Sequence, residues 1–107
     1  MARYLFKAQY TQEGAAGLLE VGGASRADVL RKTAESVGGR LESFDFAFGA
    51  TDAYVIVDLP DHSAAAKVAL TASAAGGARV ETVVLIEAKD LKPGTGGVLY
   101  TPPGAAT

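Results

Sequence analysis

Three residues within five positions hold most of the reactive chemistry this chain offers: Asp58, Asp61 and His62. Carboxylates and imidazoles are the usual parts of general acid/base catalysis, because modest changes in surroundings bring their proton affinities into the working range. Asp58 falls near the end of the almost uninterrupted apolar run Ala53-Tyr54-Val55-Ile56-Val57-Asp58-Leu59. A carboxylate in such a run is paired, hydrogen-bonded or protonated, unless it emerges from the sheet's end into water. His62 is the one histidine and follows Asp61, a natural helix cap, so its default place is an exposed first helical turn. Asp58 and His62 are therefore the candidate catalytic residues. A divalent ion needs three or four ligands in fixed geometry, and capping or pairing already occupies two of these three, so no metal is expected. Lys7 and Asp52 are candidate ligand-binding residues. Lys7 can meet an anion or pair with Asp58 or Glu81 across a sheet, and Asp52 ends a turn whose N–H groups its carboxylate can bond. Tyr4, Tyr10 and the stretch Phe44 to Phe48 can line an apolar pocket, a core or a dimer interface.

The elements that must position these groups follow from periodicity. Ala2 to Tyr10 alternates Tyr4, Phe6, Ala8 and Tyr10 against Arg3, Leu5, Lys7 and Gln9, the period of a strand. Thr11 to Gly23 reads as a long connection with helical hints from Gly14 to Glu20, ended by Gly22-Gly23. Ser25-Arg26-Ala27-Asp28 reads as a capping box. It opens a helix from Arg26 to Val37, with Leu30, Ala34 and Val37 at helical spacing and Gly38-Gly39 as its stop. Within it, Asp28 and Lys32 form an i,i+4 pair on a solvated face.

Leu41 to Phe48 places Phe44, Phe46 and Phe48 with Glu42 on one side and Leu41, Ser43, Asp45 and Ala47 on the other, as an edge strand. Ala53 to Leu59 is a central strand covered on both faces, entered through a turn at Gly49 to Asp52. Pro60 stops it, Asp61 caps a helix with the small-residue face Ala65, Val68, Ala69 and Ala72, and Gly76-Gly77 ends that helix. Arg79 to Glu87 is the last strand. The order β-α-β-β-α-β is the ferredoxin-like pattern, an α+β fold. It puts both helices on one face of a four-stranded antiparallel sheet and the first and third strands at its centre.

That pattern leaves the second face without a cover. Alternate positions are apolar or aromatic on both sides of every strand, so a second sheet, supplied by a two-fold dimer, is the natural lid. Residues 1–91 make the domain. Residues 92–107, rich in Gly and Pro, form a tail expected to pack on a neighbouring subunit through Val98, Leu99 and Tyr100.

Composition narrows the function. The 107 residues fit one domain with one modest core. Twelve acidic against ten basic residues give a formal charge of −2, without the basic stripe that nucleic acid requires. The chain contains no cysteine, which removes disulfides, thiolate catalysis, Fe–S clusters and cysteine-held zinc. No segment has phosphate-loop or nucleophile-elbow spacing, so no cofactor is expected. Nor is any apolar run long enough for a signal peptide or a membrane span, and the expected location is the cytoplasm by default.

The segment Gly49 to Asp61 resembles the signature of the GYD domain family. That pattern runs Gly-x-Tyr-Asp, a hydrophobic strand, an acidic residue, x-Pro-Asp and an alanine-rich helix. It is matched here by Gly49, Asp52, Val55-Ile56-Val57, Asp58, Pro60 and Asp61. Thr51 stands where the family has its tyrosine, and Tyr54, three residues on, is the aromatic that can replace it, which adds Tyr54 to the candidate ligand-binding residues. Tyr10-Thr11, Glu13-Gly14, Gly22-Gly23 and Gly38-Gly39-Arg40-Leu41-Glu42 extend the likeness over about residues 3 to 88. The resemblance implies a dimeric α+β barrel, with two ferredoxin-like sheets packed face to face, and implies little chemistry.

Three readings of function remain. The first is a homo-oligomeric binding or regulatory module for a small apolar or anionic ligand, supported by the shortage of convergent catalytic side chains. The second is a cofactor-independent enzyme of the monooxygenase or isomerase type, with Asp58 or His62 as base. The third is a purely structural dimer without a cavity.

Overall fold

Alternation along the first strand decides the architecture, because Tyr4 and Phe6 are buried while Arg3, Leu5 and Lys7 on the opposite side are only half-buried. The computed structural model describes residues 1–105; Ala106 and Thr107, the end of the expected subunit-contacting tail, lie outside the described residues. The chain forms β1 (Ala2–Tyr10), α1 (Gln12–Val21), α2 (Gly23–Ser36), β2 (Arg40–Phe46), β3 (Ala53–Leu59), α3 (His62–Ala74), β4 (Ala78–Leu85) and a short 3-10 turn at Ala88–Asp90. It is an α+β fold in which the four strands make one antiparallel sheet in the order β2-β3-β1-β4. As expected, β1 and β3 occupy the centre.

The core lies between this sheet and the helices. Tyr4 and Phe6 of β1 meet Ala53, Val55, Val57 and Leu59 of β3, and Ala34 of α2 with Ala65 and Val68 of α3 close over them. Burying an apolar side chain of this size contributes roughly 1.5–3 kcal/mol, so these few residues carry most of the cohesion. No helix among the described residues is long and apolar enough to cross a membrane.

Three helices stand where two were expected, because the segment read as a long connection folds as α1. Thr11 caps it, accepting from the Gly14 N–H at 3.1 Å, and donates its hydroxyl proton to the Gly76 carbonyl at 2.8 Å. The Thr11 N–H adds a bond of 3.1 Å to the Gly77 carbonyl. Gly14 is what lets the helix dock, since a Cβ there would stand 1.8 Å from the Gly77 oxygen.

α2 also departs from expectation. It begins at Gly23 and not with a capping box at Ser25; its N-cap is Gly22, whose φ of 81° breaks the chain between α1 and α2 without a side-chain cap. Asp28 pairs with Lys32 at 3.2 Å and also with Arg31, one turn of helix away. Both cations hold the Asp28 carboxyl below the usual carboxylate range, the Lys32 hydrogen bond contributing most.

In β2 a bulge between Leu41 and Ser43 corrects the expected facing. Leu41 pairs with Val57, Phe44 with Val55 and Phe46 with Ala53, so Leu41 joins the phenylalanines toward the helices. Ser43 and Asp45 point away with Ile56 and Tyr54. α3 follows the sequence closely, with Asp61 accepting from the Ala64 N–H at 2.9 Å. Beyond Glu87 the chain is exposed throughout the described residues, Val98, Leu99 and Tyr100 included.

Candidate functional site

The structure does not bring the two candidate catalytic residues together. Asp58 points to the face of the sheet away from the helices, where it is 8% exposed and paired in register with Arg40 on one side and Arg3 on the other. Its Oδ2 accepts from Arg40 Nε at 3.0 Å. Glu42, displaced by the bulge, binds Arg3 at 2.7 Å and reaches Arg40 at 3.6 Å. These four charges form a cross-strand network of no net charge, and Glu42 raises the Arg3 pKa by hydrogen bond and charge.

His62 lies across the sheet, at the start of α3, with its Nδ1 2.6 Å from the Tyr4 hydroxyl and its ring edge-on to the tyrosine, centroids 5.7 Å apart. Tyr4 is 1% exposed. Burial raises its pKa and the nearby Asp61 charge raises it further, so the phenol keeps its proton at neutral pH. It can then donate to Nδ1, which puts the proton of the neutral imidazole on Nε2. Of the three places open to Tyr4, pocket wall, core or dimer interface, it takes the core, and its hydroxyl meets the histidine.

The candidate ligand-binding residues are also separated. Asp52 accepts from the Tyr10 N–H at 2.8 Å and its own N–H bonds the Ala8 carbonyl at 2.9 Å, so it ties the turn to β1. Lys7 reaches Glu81 at 3.5 Å on the open face, and Tyr54 lies beside it in register on β3. Lys7 and Glu81 line a shallow groove of about 390 Å³ with Thr51 and Arg79, which neither Asp52 nor Tyr54 enters.

A larger cleft of about 490 Å³ opens between the three helices. α1 contributes Gly14, Gly17, Leu18 and Val21; α2 contributes Arg26, Val29, Leu30 and Thr33; α3 contributes Val68, Thr71, Ala72 and Ala75; Tyr10 and Ala78 form its floor. Each helix supplies residues three or four apart, as one helical face must. A narrow chamber of about 50 Å³ lies next to it under α2 and α3, lined by Phe6, Phe44, Val55 and Val80 and again by Arg26, Leu30 and Tyr10. The small side chains of α3 leave this space open, because Ala69 and Ala72 stand where larger residues would fill it.

Of the aromatics for which pocket, core and dimer interface were all open, Tyr10 and Phe44 border the inner chamber and also pack against the core. Arg26 was read only as the start of a helix. The signal for it was present, since Arg26 precedes Leu30, Ala34 and Val37 by one, two and three turns and so puts a charge in line with the buried stripe. The other wall, α1, showed in the sequence only as helical hints from Gly14 to Glu20. No group of three or more acidic or histidine side chains among the described residues is placed to hold a metal ion. No curated protein matches the chain. The model of the GYD domain matches residues 4–93, nearly the whole of the sheet and helices just described, and the chain belongs to the GYD domain family.

Proposed function

We propose that this protein is a homo-oligomeric module that binds a small, largely apolar ligand in the cleft between α1, α2 and α3. The observation that carries this reading is the cleft itself: about 490 Å³, walled by apolar and small side chains, in the size range of small-molecule sites. A purely structural dimer has no use for such a space. The groups able to move protons, Asp58 and the Tyr4–His62 pair, line neither the cleft nor the chamber, which favours binding over turnover.

In this reading the sheet is ferredoxin-like and two copies pack open face to open face. Support comes from the stripe Leu5, Ile56, Val83 and Leu85, half-buried on a face that carries no helix. The ion pairs of Arg3, Arg40 and Lys7 flank it, an apolar centre with a polar rim as interfaces have. The tail then finds its place on the neighbouring subunit through Val98, Leu99 and Tyr100.

Native mass spectrometry tests both halves at once. The expected spectrum is a dimer or higher oligomer carrying a defined extra mass, and Ile56→Lys is expected to give a folded monomer. A wild-type monomer would overturn the paired-sheet reading. Oligomers that never retain or take up a small molecule, across a panel of apolar metabolite-sized compounds, would overturn the binding reading.

A further inference from the structure

We infer that the ligand is a small apolar acid and that Arg26 binds its carboxylate; this rests on the reading of the chain as a ligand-binding module and names the class of ligand. Arg26 lines both the open cleft and the inner chamber. Its Nε is buried and has no hydrogen-bond partner among the described residues. None of the ion pairs formed by the described residues includes it.

A guanidinium keeps its charge under all ordinary conditions and presents five N–H donors in a fixed fork. The Nε donor of the half-buried Arg26, itself buried and unpaired among the described residues, is costly, so an acceptor brought to the guanidinium by a ligand recovers part of what folding left unmade. The fork matches a carboxylate in the bidentate geometry that is the stronger form of such contacts.

The rest of the cleft selects against other classes. No acidic side chain lines it, so a cationic ligand would meet only Arg26. The Thr33 and Thr71 hydroxyls donate to carbonyls of their own helices at 2.8 and 2.7 Å, which leaves Arg26 as the charged group among the lining residues, with the Tyr10 hydroxyl as a neutral second donor. Leu18, Leu30, Val68 and Ala72 offer the body of the ligand an apolar bed, and Phe6 and Phe44 in the chamber can receive its far end. The chain's formal charge of −2 provides no general attraction for anions, so the selectivity is local.

Octanoate and 1-octanol, equal in length and differing in the head group, are suitable probes for calorimetric titration of the full chain. The expected result is saturable octanoate binding at least tenfold tighter than octanol. Arg26→Gln is expected to weaken octanoate at least tenfold and to leave octanol within twofold. Ala72→Phe, which fills the cleft, is expected to abolish both, with thermal melts confirming that the variants are folded. Amide shifts on octanoate addition, centred on Leu30 and Ala72, locate the site without reliance on any variant. Equal affinity for the two probes, or octanoate binding indifferent to Arg26→Gln, would overturn the role of Arg26 while leaving a ligand-binding cleft. Failure of both probes to bind the wild type would remove the apolar acid and the cleft reading together.

Discussion

On the covered face of the sheet, Tyr4, Phe6, Val55, Val57 and Leu59 give up their water to the helices, whereas on the open face the same strands present Arg3, Leu5, Lys7, Ile56 and Asp58, screened largely by one another. The open face answers its charges internally: Arg3 with Glu42, Arg40 with Asp58, Lys7 with Glu81. The covered face does the reverse, leaving space beside its apolar residues and the buried Arg26 nitrogen without a partner among the described residues. Reactive residue types are thus a poor guide to the site in this molecule. The carboxylate that the sequence makes conspicuous, Asp58, is satisfied, and the group that still lacks a partner is an inconspicuous helical arginine.

The contrast between faces is measurable. Leu59→Ala removes a fully buried side chain and is expected to cost about 2–5 kcal/mol in urea unfolding. Ile56→Ala, on the open face, is expected to cost about 1 kcal/mol or less in the isolated monomer, as partly exposed positions usually do. Equal costs for the pair, measured where the chain is monomeric, would erase the distinction between the faces. Next in size is Gly14→Ala, whose methyl group would meet the Gly77 carbonyl; a loss of about 1–3 kcal/mol is expected, as for overpacking elsewhere. Hydrogen exchange should show that the loss falls on α1, and unchanged protection there would mean that α1 is not held by this contact.

Asp58→Asn tests the charge network. Breaking a fully buried ion pair costs 3–5 kcal/mol, but Arg40 is largely exposed, so a loss of about 1 kcal/mol is expected, shrinking as salt is raised. A loss independent of salt would point to packing. Comparable in size is Tyr4→Phe, which removes one hydrogen bond to His62 at a cost of about 0.5–1.5 kcal/mol. Because the pKa of Tyr4 is raised in the folded state, its contribution is complete below the ordinary tyrosine pKa and is lost as the pH climbs toward the folded value. Ultraviolet titration should therefore show one late-ionising phenol that Tyr4→Phe abolishes; loss of an early phase in its place would contradict the buried assignment.

How much was legible beforehand varies with the element. β1 and β3 fall where alternation and the apolar run put them, and the caps and stops of Asp61, Gly38-Gly39 and Gly76-Gly77 lie at the ends of their helices. α1 was legible only as helical hints from Gly14 to Glu20, because Gly14 and Gly17 lower helix propensity by about 1 kcal/mol each and contact with the turn after α3 offsets that. The facing of Leu41 escaped notice, since a bulge inserts one residue without any change in hydrophobic pattern. The proposed site was only partly visible: a pocket was one of the alternatives open to Tyr10 and Phe44, but the walls of the cleft come from three helices, α1 among them.

The sequence by itself determined the number and direction of the strands, the central place of β1 and β3, the Asp61 cap and the family signature, because these depend on short-range periodicity and turn chemistry. The tertiary structure alone decided that Asp58 and His62 lie on opposite faces, that Tyr4 reaches His62, and that Arg26 borders a largely apolar cleft. Those facts depend on which side chains meet across segments distant in sequence, and no local pattern encodes the shape of the gap that packing leaves between them.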